Sequence, residues 1–235
     1  MSNNMIAVWG APGRGKTTVA VNLAAALAKE NTVLLVSCNL WFPEIQMPFG
    51  QVVKESGSIS RLAVASCAPY DLFTQVHDLK NLQLLTLPDD HGQLFGDYWN
   101  GETAAQLYAQ IDRCAFNYVI VDGASQPDNP ISTLGLERAA LLLHVGGFGV
   151  SGLFWQRAMQ PLREGLRLDA KTTYAANRFD GPLYSHIEPE LTLPEVEDME
   201  RFPAQGKTAF GSGPKKYARA IGKLAEIVQK EAALR

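Results

Sequence analysis

The chain has 235 residues, 46% of them apolar and 19% charged, with 21 basic and 24 acidic side chains that give a formal charge of −3. A chain of this length can bury roughly 70–75% of its extended surface, enough for one large core, and the composition excludes disorder and fibrous repeats. The near balance of charge excludes the overall basic character of a nucleic-acid coat, and Cys38, Cys67 and Cys114 form no C-x-x-C, which argues against a disulfide framework or a zinc site.

Met5-Ile6-Ala7-Val8-Trp9 is a short apolar run ending at glycine, the pattern of a strand buried on both faces. Alanines, Leu23 and Leu27 at helical spacing predict a helix from Thr17 to Lys29. Further strands are predicted at Val33–Val36, Leu82–Leu87, Tyr118–Val121, Leu141–Val145 and Thr172–Ala176. Helical periodicity runs from Glu102 to Cys114 and from about Pro214 to Leu234. The stretch from Pro88 to Gly101 has no periodicity and reads as a mobile loop. Strands alternating with helices predict an α/β fold, a mostly parallel twisted sheet with helices on both faces, with ligands at the carboxyl ends of the strands. The whole chain, 1–235, reads as one domain. No apolar run reaches the roughly 18 residues that span a bilayer, and no basic region precedes the first apolar run, so a cytoplasmic location is expected.

Gly10-Ala11-Pro12-Gly13-Arg14-Gly15-Lys16-Thr17 fits G-x-x-x-x-G-K-[ST]. Glycines let successive backbone N–H groups converge on a phosphate oxygen, and the following helix aims its positive dipole end at the same anion. Lys16 is expected to reach the β- and γ-phosphates, and the Thr17 hydroxyl to ligate Mg²⁺, with Thr18 next to it in the first turn of the helix. Asp122 closes the strand Tyr118–Val121 and is the candidate carboxylate on the metal side.

These motifs resemble the ParA/MinD family of P-loop ATPases. The resemblance is carried by the loop, by VLLVSCNLWFPEIQMPFG after the second strand, and by YVIVDGAS. It continues through LLLHVGG, YAANRFDG and a C-terminal helix, and so spans nearly the whole chain. It implies a P-loop NTPase fold binding ATP or ADP with Mg²⁺, a homodimer when nucleotide is bound, and a protein partner in a localisation or assembly system. Recruitment from the cytoplasm to a membrane-associated complex would fit such a role. Two positions depart from the family pattern. A lysine that reaches across the dimer is replaced by Ala11, leaving Arg14 either as a substitute guanidinium or pointing out into solvent. The second carboxylate of the family's D-x-D is replaced by Asn39, after Ser37 and Cys38. An amide cannot accept a proton, so Asn39 is expected either to position water or to cap a turn, and hydrolysis to be slow or absent. The altered loop suggests an atypical branch of TadZ/CpaE type.

Asn177-Arg178 falls where the family's asparagine contacts adenine. Asn177-Arg178-Phe179-Asp180 also resembles the GTPase motif N-K-x-D, but Asp122 does not open the D-x-x-G pattern, which favours ATP. Two other readings stay open: a non-hydrolysing scaffold, or a phosphoryl-transfer kinase on the same fold. Trp41 and Phe42 read equally as an exposed switch surface or as core residues. An acid-free stretch with Lys207, Lys215, Lys216, Arg219 and Lys223 allows weak DNA binding, although a solvated helix face explains it as well. The stripe Tyr217, Ile221, Leu224 and Val228 reads as packing against the domain in preference to membrane targeting.

Overall fold

The computed structural model describes residues 4–41, 44–63, 68–88, 100–146, 149–177 and 188–234. Six strands occupy the predicted positions: β1 Asn4–Trp9, β2 Val33–Ser37, β4 Leu82–Leu85, β5 Tyr118–Asp122, β6 Leu141–Val145 and β7 Thr172–Ala176. Two further strands, β3 (Thr74–Gln75) and β8 (Leu191–Thr192), are two residues long and leave no periodicity to read. The eight form one sheet in the order β3-β4-β2-β5-β1-β6-β7-β8, parallel except for β3 against β4.

Each central strand is buried on both sides because its alternate side chains feed two different cores. Ile6 and Val8 of β1 face one core, and Met5, Ala7 and Trp9 face the other. The same alternation separates Val33 and Leu35 from Leu34 and Val36, and Tyr118 and Ile120 from Val119 and Val121. The first face is covered by α1 (Lys16–Leu27) and α8 (Lys215–Ala233), which pack on each other. The second is covered by α2 (Gly101–Ile111) and α3 (Pro130–Arg138), with α4 (Val150–Ala158) and α5 (Gln160–Gly165) beside them. Short helices α6 (Arg201–Ala204) and α7 (Ala209–Ser212) complete the first face.

Local chemistry sets the helix ends. Asn100 caps α2 by accepting from the Thr103 N–H, and Asn129 caps α3 by accepting from the Ser132 N–H at 2.9 Å, with Pro130 as the first helical residue. In α8, Tyr217, Ile221, Leu224 and Val228 are buried, while Lys215, Lys216, Arg219 and Lys223 lie on the outer face. Most of the predicted loop from Pro88 to Gly101 lies outside the described residues.

The strand order matters most for what it brings together. β5 is inserted between β2 and β1, although Tyr118 lies 114 residues from its partner Asn4 and 85 from its partner Val33. Asp122 thereby pairs with Val8 on one side and Ser37 on the other, and all three strands end together at one edge. That edge is where a doubly wound sheet places its ligand.

Candidate functional site

Trp9 closes β1 and Lys16 opens α1, so Gly10–Gly15 make the whole turn from strand to helix. Gly10 has φ 149°, and a Cβ there would lie 2.5 Å from the Val145 carbonyl oxygen at the end of β6, so only glycine fits. Gly15 is the left-handed N-cap of α1 (φ 76°), and among the described residues no side chain caps the first N–H groups of the helix. Those donors and the positive end of the dipole are thus presented at the edge of the sheet, the arrangement that binds an anion.

Four side chains meet at this turn. The Lys16 ammonium donates to Ser125 Oγ at 2.5 Å and to the Ala11 carbonyl at 3.2 Å. The Thr17 hydroxyl donates to Asp122 Oδ2 at 2.8 Å. Asp122 is buried, and its second oxygen, Oδ1, has no hydrogen-bond partner among the described residues. Burial pushes the Asp122 carboxyl up to about 7, against the Thr17 hydrogen bond and the Lys16 charge that pull it down. Burial also lowers Lys16, and Asp122 opposes that shift. An orphaned carboxylate oxygen beside a hydroxyl suits a hard cation such as Mg²⁺, which takes few protein ligands and completes its shell with phosphate and water. Among the described residues no cluster of three or more His, Cys, Asp or Glu could hold a metal unaided.

A groove crosses the turn as three adjoining cavities. One of about 650 Å³ is lined by Lys16, Thr17, Asn39, Trp41, Asp122 and Ser125. The next, about 660 Å³, shares Lys16 and Thr17 and adds Thr18, Glu44, Met199 and Lys207. The third, about 320 Å³, shares Thr18 and Met199 and adds Asn177, Pro194, Val196 and Asp198. Buried Asn22 braces the middle one: its amide donates to the Thr18 carbonyl at 2.7 Å and accepts from the Phe210 N–H at 2.6 Å.

The sequence-predicted residues fall along this groove in different ways. Pro12 and Gly13 are exposed at the tip of the turn, whereas Ala11 is buried. Arg14 lines none of these three cavities and is half-buried. Its guanidinium donates to Ser151 Oγ on α4 at 2.6 Å and its stem lies over Gly146, where a Cβ would come within 2.8 Å. Asn39 lines the cavity with Asp122, and its side-chain oxygen accepts from the Trp41 N–H at 3.1 Å, an Asx turn that holds the chain after β2. Asn177 reaches the third cavity, and its amide donates to the Arg14 carbonyl at 2.8 Å. Trp41 is exposed, at 59%. Arg178, Phe42, Phe179 and Asp180 lie outside the described residues. Sequence reading misses Ser125 and the Pro194–Met199 wall, and it names Lys207 only within a basic stretch, not as a groove residue. None carries a spacing signal, since Ser125 meets Lys16 across 109 residues.

The parallel sheet, the strand-turn-helix loop and the Lys16–Thr17–Asp122 cluster define the fold of a P-loop nucleoside triphosphatase. Its structural neighbours are MinD- and ParA-family ATPases. The ParA family ATPase of Chlorobium tepidum superimposes with a TM-score of 0.77 at 17% identity, over 95% of this chain and 99% of that one. The septum site-determining protein MinD of Pyrococcus horikoshii, in complex with Mg-ADP, does so with a TM-score of 0.75 at 21% identity, over 98% of each chain. A plasmid partition protein of Borrelia burgdorferi bound to AMPPNP gives 0.71 at 16% identity, over 97% of this chain and 98% of that one. No family model matches the sequence, and no curated protein does. At these identities the likeness establishes the fold. Among the described residues no helix is long and apolar enough to cross a membrane.

Proposed function

We propose that the chain is a ParA/MinD-like ATPase: a single P-loop domain that binds ATP or ADP with Mg²⁺ and switches the localisation or assembly of a partner protein. The observation that carries this reading is the Thr17–Asp122 pair beside Lys16 at the open end of α1. The backbone N–H groups of the Gly10–Thr17 turn, with Thr18, would hold the phosphates, and Lys16 would oppose their charge. Thr17 and Asp122 would hold Mg²⁺, which when bound neutralises charge on the β- and γ-phosphates. The cavity between Thr18, Asn177 and Pro194, of about 320 Å³, has room for a base, and an amide there can pair with adenine. Dimerisation on nucleotide binding, as for the family, would bring a second copy to the same edge.

Slow hydrolysis follows from Asn39. Its amide cannot serve as a base, and its oxygen is engaged in the turn to Trp41. The same observation favours the second reading, a scaffold that binds nucleotide without turnover. The altered positions Ala11 and Asn39 are the basis for comparing the chain with the TadZ/CpaE branch. Titration calorimetry with ATP, ADP, GTP and GDP in Mg²⁺ tests the proposal. Micromolar or tighter binding of the adenine nucleotides, lost in Lys16→Ala, supports it. No heat with any of the four overturns it. A phosphate-release time course over hours then separates the slow switch from the scaffold.

A further inference from the structure

Among the described residues the ammonium of Lys16 has two acceptors, and they differ in kind. The Ala11 carbonyl belongs to the same turn. Ser125 belongs to the segment after β5 and is buried. Its backbone is held from another direction as well, because its carbonyl accepts from the Trp155 indole N–H at 3.2 Å. Trp155 in turn packs edge-on against buried Trp9, with ring centroids 4.6 Å apart. The Ser125 hydroxyl is thus set in place by aromatic packing between α4 and the end of β1, and it meets Lys16 at 2.5 Å.

We propose that Ser125 is a positioning residue that competes with the β- and γ-phosphates for the Lys16 ammonium, and so sets how tightly the site holds nucleoside di- and triphosphates. The proposal rests on the nucleotide reading above and extends it to a residue outside the loop. A P-loop lysine acts on the β- and γ-phosphates, so any ligand that carries them takes the place of Ser125 as its acceptor. A phosphate oxygen is the stronger acceptor because it is charged, but the hydrogen bond given up is subtracted from the affinity. A nucleoside monophosphate, whose single phosphate is the α-phosphate, leaves the Lys16–Ser125 bond in place. Asp122 acts on Lys16 through its charge and is common to both variants below, so it does not enter the comparison.

The test compares Ser125→Ala and Ser125→Thr with the parent protein in two measurements. Calorimetry with AMP, ADP and ATP in Mg²⁺ is expected to show about tenfold tighter ADP and ATP binding in Ser125→Ala, with AMP unchanged, as loss of one competing bond to a charged group implies. Ser125→Thr keeps the hydroxyl and is expected to match the parent. The second measurement uses no nucleotide: limiting acetic anhydride followed by peptide mass spectrometry reads the acetylation rate of Lys16, expected to rise several-fold in Ser125→Ala only. Equal Lys16 acetylation in all three proteins overturns the proposal. So does ADP affinity that stays level or falls in Ser125→Ala, or AMP affinity that shifts in step with it. If the parent binds none of the three nucleotides, the functional reading fails, whereas faster Lys16 acetylation in Ser125→Ala would still support Ser125 as the competitor for that ammonium.

Discussion

The hydroxyl of Thr17 and the carboxylate of Asp122 stand 105 residues apart in sequence and 2.8 Å apart in space. The sheet order makes the meeting obligatory, because β5 lies beside β1 in the register that sets Asp122 against Val8. Removing the hydroxyl tests what the pair is for. Thr17→Ala should leave nucleotide binding measurable in EDTA and weaken it about tenfold or more in Mg²⁺, as expected for a lost ligand to a charged group. Calorimetry in the two buffers checks it, and equal losses in both would place the Thr17 contribution outside metal binding.

Asp122 also predicts a dependence of binding on pH. Its carboxyl is pushed up to about 7 by burial, so a growing fraction is protonated as pH falls below neutrality. A cation binds the ionised form, so Mg-nucleotide affinity should fall as pH drops, by about tenfold between roughly pH 7.5 and 6. Asp122→Asn should remove that slope. The comparison is read from dissociation constants of Mg-ADP at the two pH values.

Stability depends on pH through two buried groups of opposite sign. His144 packs against Trp155 and Tyr174, with ring centroids 5.6 and 5.2 Å away, and burial lowers it to about 4. A folded value below the unfolded 6.5 means the unfolded chain binds the proton first, so stability is lost as pH falls from about 6.5 towards 4. Asp122, raised from 3.8 to about 7, loses stability as pH rises over nearly the same window. The two slopes oppose each other. Denaturant melts of Asp122→Asn should therefore show a steeper acid loss than the parent, of order ~2–4 kcal/mol across the window.

Asn39→Asp should introduce a carboxylate while keeping the turn, because Asp accepts from the Trp41 N–H as Asn does. Turnover is expected to rise about 10²-fold or more, the ordinary worth of a general base. Phosphate release under saturating ATP measures it, and an unchanged rate would remove Asn39 from the hydrolytic site.

Gly10→Ala places a methyl group 2.5 Å from the Val145 carbonyl at a φ that L side chains rarely adopt. Thermal and chemical melts should show a loss of about 1–3 kcal/mol, with nucleotide affinity falling in parallel because the loop is pushed off β6.

The parallel sheet is legible in the sequence because its strands are uniformly apolar and sit between two helical layers, as Ile6/Val8 and Ala7/Trp9 illustrate. The loop is legible because Gly10, Gly15, Lys16 and Thr17 fall within eight consecutive residues. β3 and β8 are not, since two residues cannot display a period. The role of Arg14 is not readable either. Whether a loop arginine faces a groove or a neighbouring helix depends on where Ser151 lies, and that is set by how α4 packs. Ser125 is hidden for the same reason. A lone serine after a strand end is unremarkable until the sheet places it next to Lys16.

Asn22 has a consequence for how the groove meets a ligand. By gripping Thr18 on α1 and Phe210 on α7, it bolts one wall of the middle cavity to the helix that grows out of the loop. The wall that α7 gives the middle cavity is therefore fixed relative to the loop, like one jaw of a gauge. A ligand that enters the middle cavity would meet that wall already in place, so little of its binding energy would go into ordering it.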